Sequence, residues 1–106
     1  MSNTGSSVKW NPIREIDASL LTNVYQPIGT VFLQDCFMIW FLNNTNADVY
    51  LSVNGTFDQI KLPMYTGRSL DLKTNDMYLI AGTQFYIRLS QIGPASGWFS
   101  IEAEFC

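Results

Sequence analysis

The chain has 106 residues, a net charge of -3 and no histidine; 47% of it is hydrophobic and only 14% is charged. That length is one domain's worth, long enough to bury roughly two-thirds of its unfolded surface in a core without metal or disulfide help. Scattered cations with no basic stripe argue against direct nucleic-acid binding, the longest apolar run (Phe37 to Leu42) is far short of the ~20 residues a membrane helix needs, and the missing imidazole removes the commonest general base and every Ser-His or Cys-His pairing.

Charged residues usually make up about 25% of a globular chain. A surface this poor in charge is expected of a subunit that buries much of itself against neighbours. No enzyme activity, cofactor or metal site is expected. With two cysteines and no histidine, zinc lacks good ligands.

Residues 1–10 read as a flexible arm. It is polar up to Val8 and lacks the apolar core of a signal peptide. Docking of that arm on a neighbouring subunit is the alternative. Residues 11–106 read as one domain, because turn signals recur about every ten residues. They run from Asn11-Pro12 through Pro27-Ile28-Gly29, Asn43 to Asn46, Asn54-Gly55, Thr66-Gly67, Asn75-Asp76 and Ala81-Gly82 to Gly93-Pro94. Short strands at that spacing predict an all-β antiparallel β-sandwich or jelly-roll-like barrel of about seven or eight strands.

In chain order, Asn11-Pro12-Ile13 resembles a helix start, and Ile13, Ile16, Leu20 and Val24 fall near helical spacing. Ser19, Thr22 and Asn23 are mediocre helix formers, so an extended segment and a short helix both stay open over 11–24. Cys36 to Leu42 is apolar on both faces: Phe37, Ile39 and Phe41 on one, Cys36, Met38, Trp40 and Leu42 on the other. A strand of that kind is covered on both sides. A sandwich core covers one, so the second must meet a loop, the arm or another chain.

Asn44 to Asp48 reads as a polar hairpin loop. Asn44, Asn46 and Asp48 alternate like calcium ligands, but Val49 and Gly55 stand where a calcium loop needs Gly and Glu. Val49, Leu51 and Val53 then alternate with Tyr50, Ser52 and Asn54, and Asn54-Gly55 reads as a tight turn. Leu70 and Leu72 alternate with Ser69 and Asp71. Phe85, Ile87 and Leu89 alternate with Tyr86 and Arg88. Phe99, Ile101, Ala103 and Phe105 alternate with Trp98, Ser100, Glu102 and Glu104. These are half-buried strands.

Cys36 is expected to be a buried thiol, with a bridge to Cys106 as the alternative. Glu102 and Glu104 sit on one strand face, where paired carboxylates could serve a glycosidase; two solvated outward charges are the plainer reading. Asn43-Asn44-Thr45 and Asn54-Gly55-Thr56 match the glycosylation triplet, which means little without a secretion signal.

One ordered set of residues carries a resemblance. It comprises Ile28-Gly29-Thr30, Asn43 to Val49, Ser52-Val53-Asn54-Gly55, Leu62-Pro63 with Gly67, Asp71-Leu72 with Asn75, Gly82 to Ile87, and Ser96-Gly97. Spanning about residues 13 to 105, it resembles a group of small β-sandwich virion proteins of tailed bacteriophages. The resemblance implies a non-enzymatic structural part of the virion, either a capsid decoration or cement protein or a ring component at the neck or tail. It implies no catalytic residues.

The expected partners are therefore other copies of the chain and other virion proteins of the capsid, portal, neck or tail. The expected location is the virion, after synthesis in the host cytoplasm. The residues expected at interfaces are Trp10, Met38, Trp40, Leu42, Tyr50, Tyr86 and Trp98. The alternative is a carbohydrate- or receptor-binding module of a fibre or tail, with Trp98, Tyr86 and Tyr50 as its aromatic platform.

Overall fold

Period-two alternation builds two antiparallel sheets packed face to face, as the turn spacing and strand patterns predict. The computed structural model describes residues 9–10, 12–75 and 77–105. Among them are nine strands: β1 (Lys9–Trp10), β2 (Arg14–Asp17), β3 (Gln26–Pro27), β4 (Cys36–Thr45), β5 (Val49–Ser52), β6 (Ile60–Leu62), β7 (Thr66–Asp71), β8 (Tyr86–Leu89) and β9 (Gly97–Phe105). The two-residue strands β1 and β3 carry the number past seven or eight. One sheet has the order β1-β9-β4-β7, with β2 also pairing β9; the other has the order β3-β8-β5-β6.

The core lies between the sheets. Ile39 and Phe41 of β4 and Phe99, Ile101 and Ala103 of β9 face Val49, Leu51, Ile87 and Leu89 of the second sheet, all essentially sealed from water. Phe85 makes edge-to-face contacts with Phe32 and Phe41, at centroid distances of 5.9 Å and 5.4 Å. Each such buried side chain stabilises the fold by about 1.5–3 kcal/mol.

Four details sharpen or correct the sequence reading. Residues 1–8 of the expected arm lie outside the described residues, but Lys9 and Trp10 are a strand, in register with Phe105 and Glu104 of β9. The 11–24 segment is extended over β2 and then makes a single 3-10 turn at Ala18–Leu20, whose first turn Asp17 caps by accepting from the Ser19 N–H. Its near-helical stripe is not a core face: Ile13, Leu20 and Val24 are exposed and of the four only Ile16 packs against the core, beside the buried Ala18 and Leu21.

The third is a bulge. The β4–β9 register shifts between Cys36 and Met38, and the extra residue turns Cys36 inward. Cys36 is thus buried, as expected of it, but on the core face with Ile39 and Phe41 rather than on the outer face with the half-buried Trp40. Cys106, and with it any bridge to Cys36, lies outside the described residues.

Fourth, Asn44 to Asp48 is not a hairpin loop. β4 and β5 belong to different sheets, so the turn is a corner between layers. Asn43 holds that corner from inside the core. Its Nδ2 donates to the carbonyls of Ala47, Leu62 and Pro63 at 3.0, 3.0 and 3.1 Å. Its Oδ1 accepts from the Thr45 N–H and hydroxyl at 3.1 and 2.6 Å. Gly97 closes the corner from the β9 side: at φ +100, a Cβ there would stand 2.1 Å from the Asn44 carbonyl oxygen.

Candidate interaction surface

The outward side of the five-stranded sheet follows from the register. β4 sends Met38, Trp40, Leu42 and Asn44 outward, because Ile39, Phe41 and Asn43 face the core. Directly opposite on β9 stand Glu104, Glu102, Ser100 and Trp98. On the other side β7 supplies Asp71, Ser69 and Gly67, and β2 adds Glu15 and Asp17 beyond β9. The face therefore carries an apolar lane on β4 beside an acidic lane on β9.

β1 adds the second indole. Trp10 stacks on Trp40 with ring centroids 5.3 Å apart at 29°, which answers part of what covers the outer face of β4. The cover is incomplete: Trp10 is 58% exposed, Leu42 41% and Trp98 38%. A shallow groove of about 500 Å³ opens beside the stack, lined among others by Trp10, Trp40, Leu42, Gly67, Arg68 and Glu102. Arg68 is its one basic lining residue.

Of the residues singled out from sequence, Trp10, Met38, Trp40 and Leu42 come together here, and Trp98 lies farther along the same face. Tyr50 and Tyr86 do not. They project from the opposite side of the sandwich, on β5 and β8, where Tyr50 opposes Lys61 and Arg88 and Tyr86 opposes Ser52. An aromatic platform of Trp98, Tyr86 and Tyr50 is thus not assembled, because strand alternation tells in from out but not which sheet a strand joins.

The far side holds a cluster the sequence reading missed. Arg88 grips Asp58 with both ends of its guanidinium, Nε to Oδ1 at 3.0 Å and Nη2 to Oδ2 at 2.6 Å. Tyr25 donates its hydroxyl to the same carboxylate. The guanidinium also lies 4.6 Å from the Tyr50 ring centre. Burial first, then the hydrogen bond to Asp58, pushes the Tyr25 phenol up to about 12, while Arg88 foremost and Tyr25 next hold the Asp58 carboxyl below its usual range. These partners are thirty or more positions apart, so nothing local announced them.

Arg14 is the other unforeseen cation. It is buried, its guanidinium lies 3.9 Å from the centre of the Phe32 ring, and it donates to the carbonyls of Thr30, Pro12 and Val31. Loss of solvation lowers its pKa, and its donors tie β2 to the loop before β4. The suspected calcium ligands diverge: Asn46 accepts from the Ser96 N–H, Asp48 from the Met64 N–H, and Asn44 points outward. Among the described residues, no three Cys, Asp or Glu side chains gather as a metal site would require.

No protein-family model and no curated protein matches the chain. Among solved structures it is similar to the Dit (gp 19.1) protein of SPP1, a paradigm of the hub adsorption apparatus in phages that infect Gram-positive bacteria. The TM-score is 0.44 at 13% identity, over 93% of this chain and 49% of that one, so the chain spans about half the length of that protein.

Proposed function

We propose that the chain is a non-enzymatic structural protein of a tailed-phage virion, held in the particle by protein–protein contacts on the capsid or at the neck or tail. The observation that carries this reading is the lane of Met38, Trp40 and Leu42 on a strand inside a sheet, left partly open by the residues that pack on it. The low charge and the ordered resemblance over residues 13 to 105 point the same way. Burying each large apolar side chain at a contact contributes about 1.5–3 kcal/mol. Many identical contacts in a closed ring or lattice then add up without one strong site.

Mass spectrometry of density-purified particles, released by cells that carry this coding sequence, tests the reading directly. Recovery of the chain as a multi-copy particle component is the expected result. Particles that form without it sink the proposal.

A further inference from the structure

The outer face of the five-stranded sheet is both apolar and predominantly acidic. Five carboxylates face outward from it: Glu15, Asp17, Asp71, Glu102 and Glu104. Among the described residues the ion pairs are Lys61–Asp48 and Arg88–Asp58, and neither involves any of the five. Asp17 and Asp71 accept from nearby Ser19 and Thr74. Arg68, from the edge strand β7, is the cation at the groove, and Lys73 stands beside Asp71 with its ammonium 5.0 Å from the centre of the Phe37 ring, so the carboxylates of β9 and β2 are the ones left for a partner's cations.

We infer that this face takes an extended, Lys- or Arg-bearing segment of a different protein, laid along β4 with its cations reaching the carboxylates of β9. The inference rests on the assembly reading above and names its partner's chemistry. Neighbouring strands lie about 4.8 Å apart, and outward residues repeat about every 6.8 Å along each strand. The apolar lane of Met38, Trp40 and Leu42 therefore runs one strand's width from Glu104 and Glu102. A Lys or Arg side chain matches that step: its hydrocarbon stem covers apolar surface while its head stays with charge. An alternating strand on top would set every second side chain at the same repeat.

The indoles add a second reason for a cation. Guanidinium and ammonium groups are attracted to the face of a tryptophan, and the outer face of Trp10 is open while its inner face rests on Trp40. Charge also argues against a second copy pairing face to face on this surface. Two such copies would bring ten carboxylates together in a chain that is already at net -3, and like charges in juxtaposition are strongly unfavourable.

The test is a fluorescence titration of the whole chain at low salt with three peptides: acetyl-Lys-Val-Arg-Val-Lys-amide, its Glu-for-Lys/Arg analogue, and its Ser/Thr analogue. A saturable tryptophan response to the first alone is expected, weakened by added salt and about tenfold by Trp40→Ala. Glu102→Gln with Glu104→Gln, which leaves the core untouched, is expected to weaken binding to a similar degree. Equal binding of all three peptides, or no saturable response, overturns the inference. So does a response to maltoheptaose in place of the peptide, which makes the groove a sugar site, and so does a self-association that Trp40→Ala abolishes. The two readings fail separately: particles that lack the chain overturn the assembly reading, whereas particles that take up Trp40→Ala chains as well as the natural one overturn the cationic partner and leave the virion role standing.

Discussion

Replacing Asn43 tests the corner that joins the two layers. In Asn43→Ala all five of its hydrogen bonds go at a position fully sealed from water. Two of the acceptors have another donor at hand: Ala47 the Thr45 hydroxyl at 2.9 Å, whose one proton the substitution releases from Asn43 Oδ1, and Pro63 the Thr66 hydroxyl at 2.6 Å. The Leu62 carbonyl and the Thr45 N–H lose this side-chain partner. A buried polar group left unsatisfied costs about 1–3 kcal/mol, and the space vacated by the amide adds to that. The expected loss is about 3–4 kcal/mol, a large share of the 5–15 kcal/mol typical of a domain. Urea unfolding followed by tryptophan fluorescence reads it: with a slope of ~1.5 kcal/mol/M, the midpoint falls by about 2 M at constant slope. Thr45→Ala, which removes one hydroxyl, is expected to lose roughly half as much. A midpoint shift under ~0.5 M for Asn43→Ala refutes the reasoning, for it means that water or a shifted backbone serves those groups equally well.

Two glycines separate backbone strain from collision. Gly82 has φ +92 with nothing within 4 Å of an added Cβ, whereas Gly97 at φ +100 would drive a Cβ into the Asn44 carbonyl. Gly82→Ala is expected to lose about 1 kcal/mol and Gly97→Ala at least ~3 kcal/mol; equal melting temperatures for the two variants contradict that order. Tyr25 supplies a pH signature. Its folded pKa of about 12 lies above the ordinary 10.0, so its contribution is fully present below pH 10 and fades as pH rises through about 12. Phenolate absorbance is expected to show a late-titrating component that Tyr25→Phe removes, and a titration that Tyr25→Phe leaves unchanged above pH 10 counts against the Asp58 hydrogen bond. The Asp58 carboxyl is shifted the opposite way, so its contribution is present at neutral pH and is lost on acidification through its lowered pKa. Asp58→Asn is therefore expected to flatten the acid limb of the stability profile.

Local alternation was enough to read the core. Val49 with Leu51, Ile87 with Leu89, and Phe99 with Ile101 each announced an inward face, because the two-residue repeat is a property of the strand itself. What failed depended on the partner strand. The inward turn of Cys36 comes from a bulge against β9, which no pattern within β4 reveals. Val53 continues the alternation of β5 in sequence, yet it is exposed; the strand stops at Ser52, where Ser52 and Gln59 begin to bond the loop backbone. The site was half legible. Met38, Trp40 and Leu42 shared a face by parity alone, and Trp10 reached them only through its pairing with β9. The separation of Tyr50 and Tyr86 from Trp98 is a matter of sheet membership, and that is set by long-range pairing.

The position of β9 has a consequence for how the protein is made. The last of the described strands is also the hub of its sheet, pairing with β1, β2 and β4. During synthesis at roughly 5–20 residues per second, β4 leaves the ribosome seconds before the strand that must lie along one of its edges. β7 can occupy the other edge early, but the first half of the sheet has no middle until Gly97 to Phe105 arrive. For that interval the most apolar stretch of the nascent chain waits with one edge unpaired, so yield in a cell should depend on how fast translation finishes and on which chaperones cover Cys36 to Leu42 meanwhile.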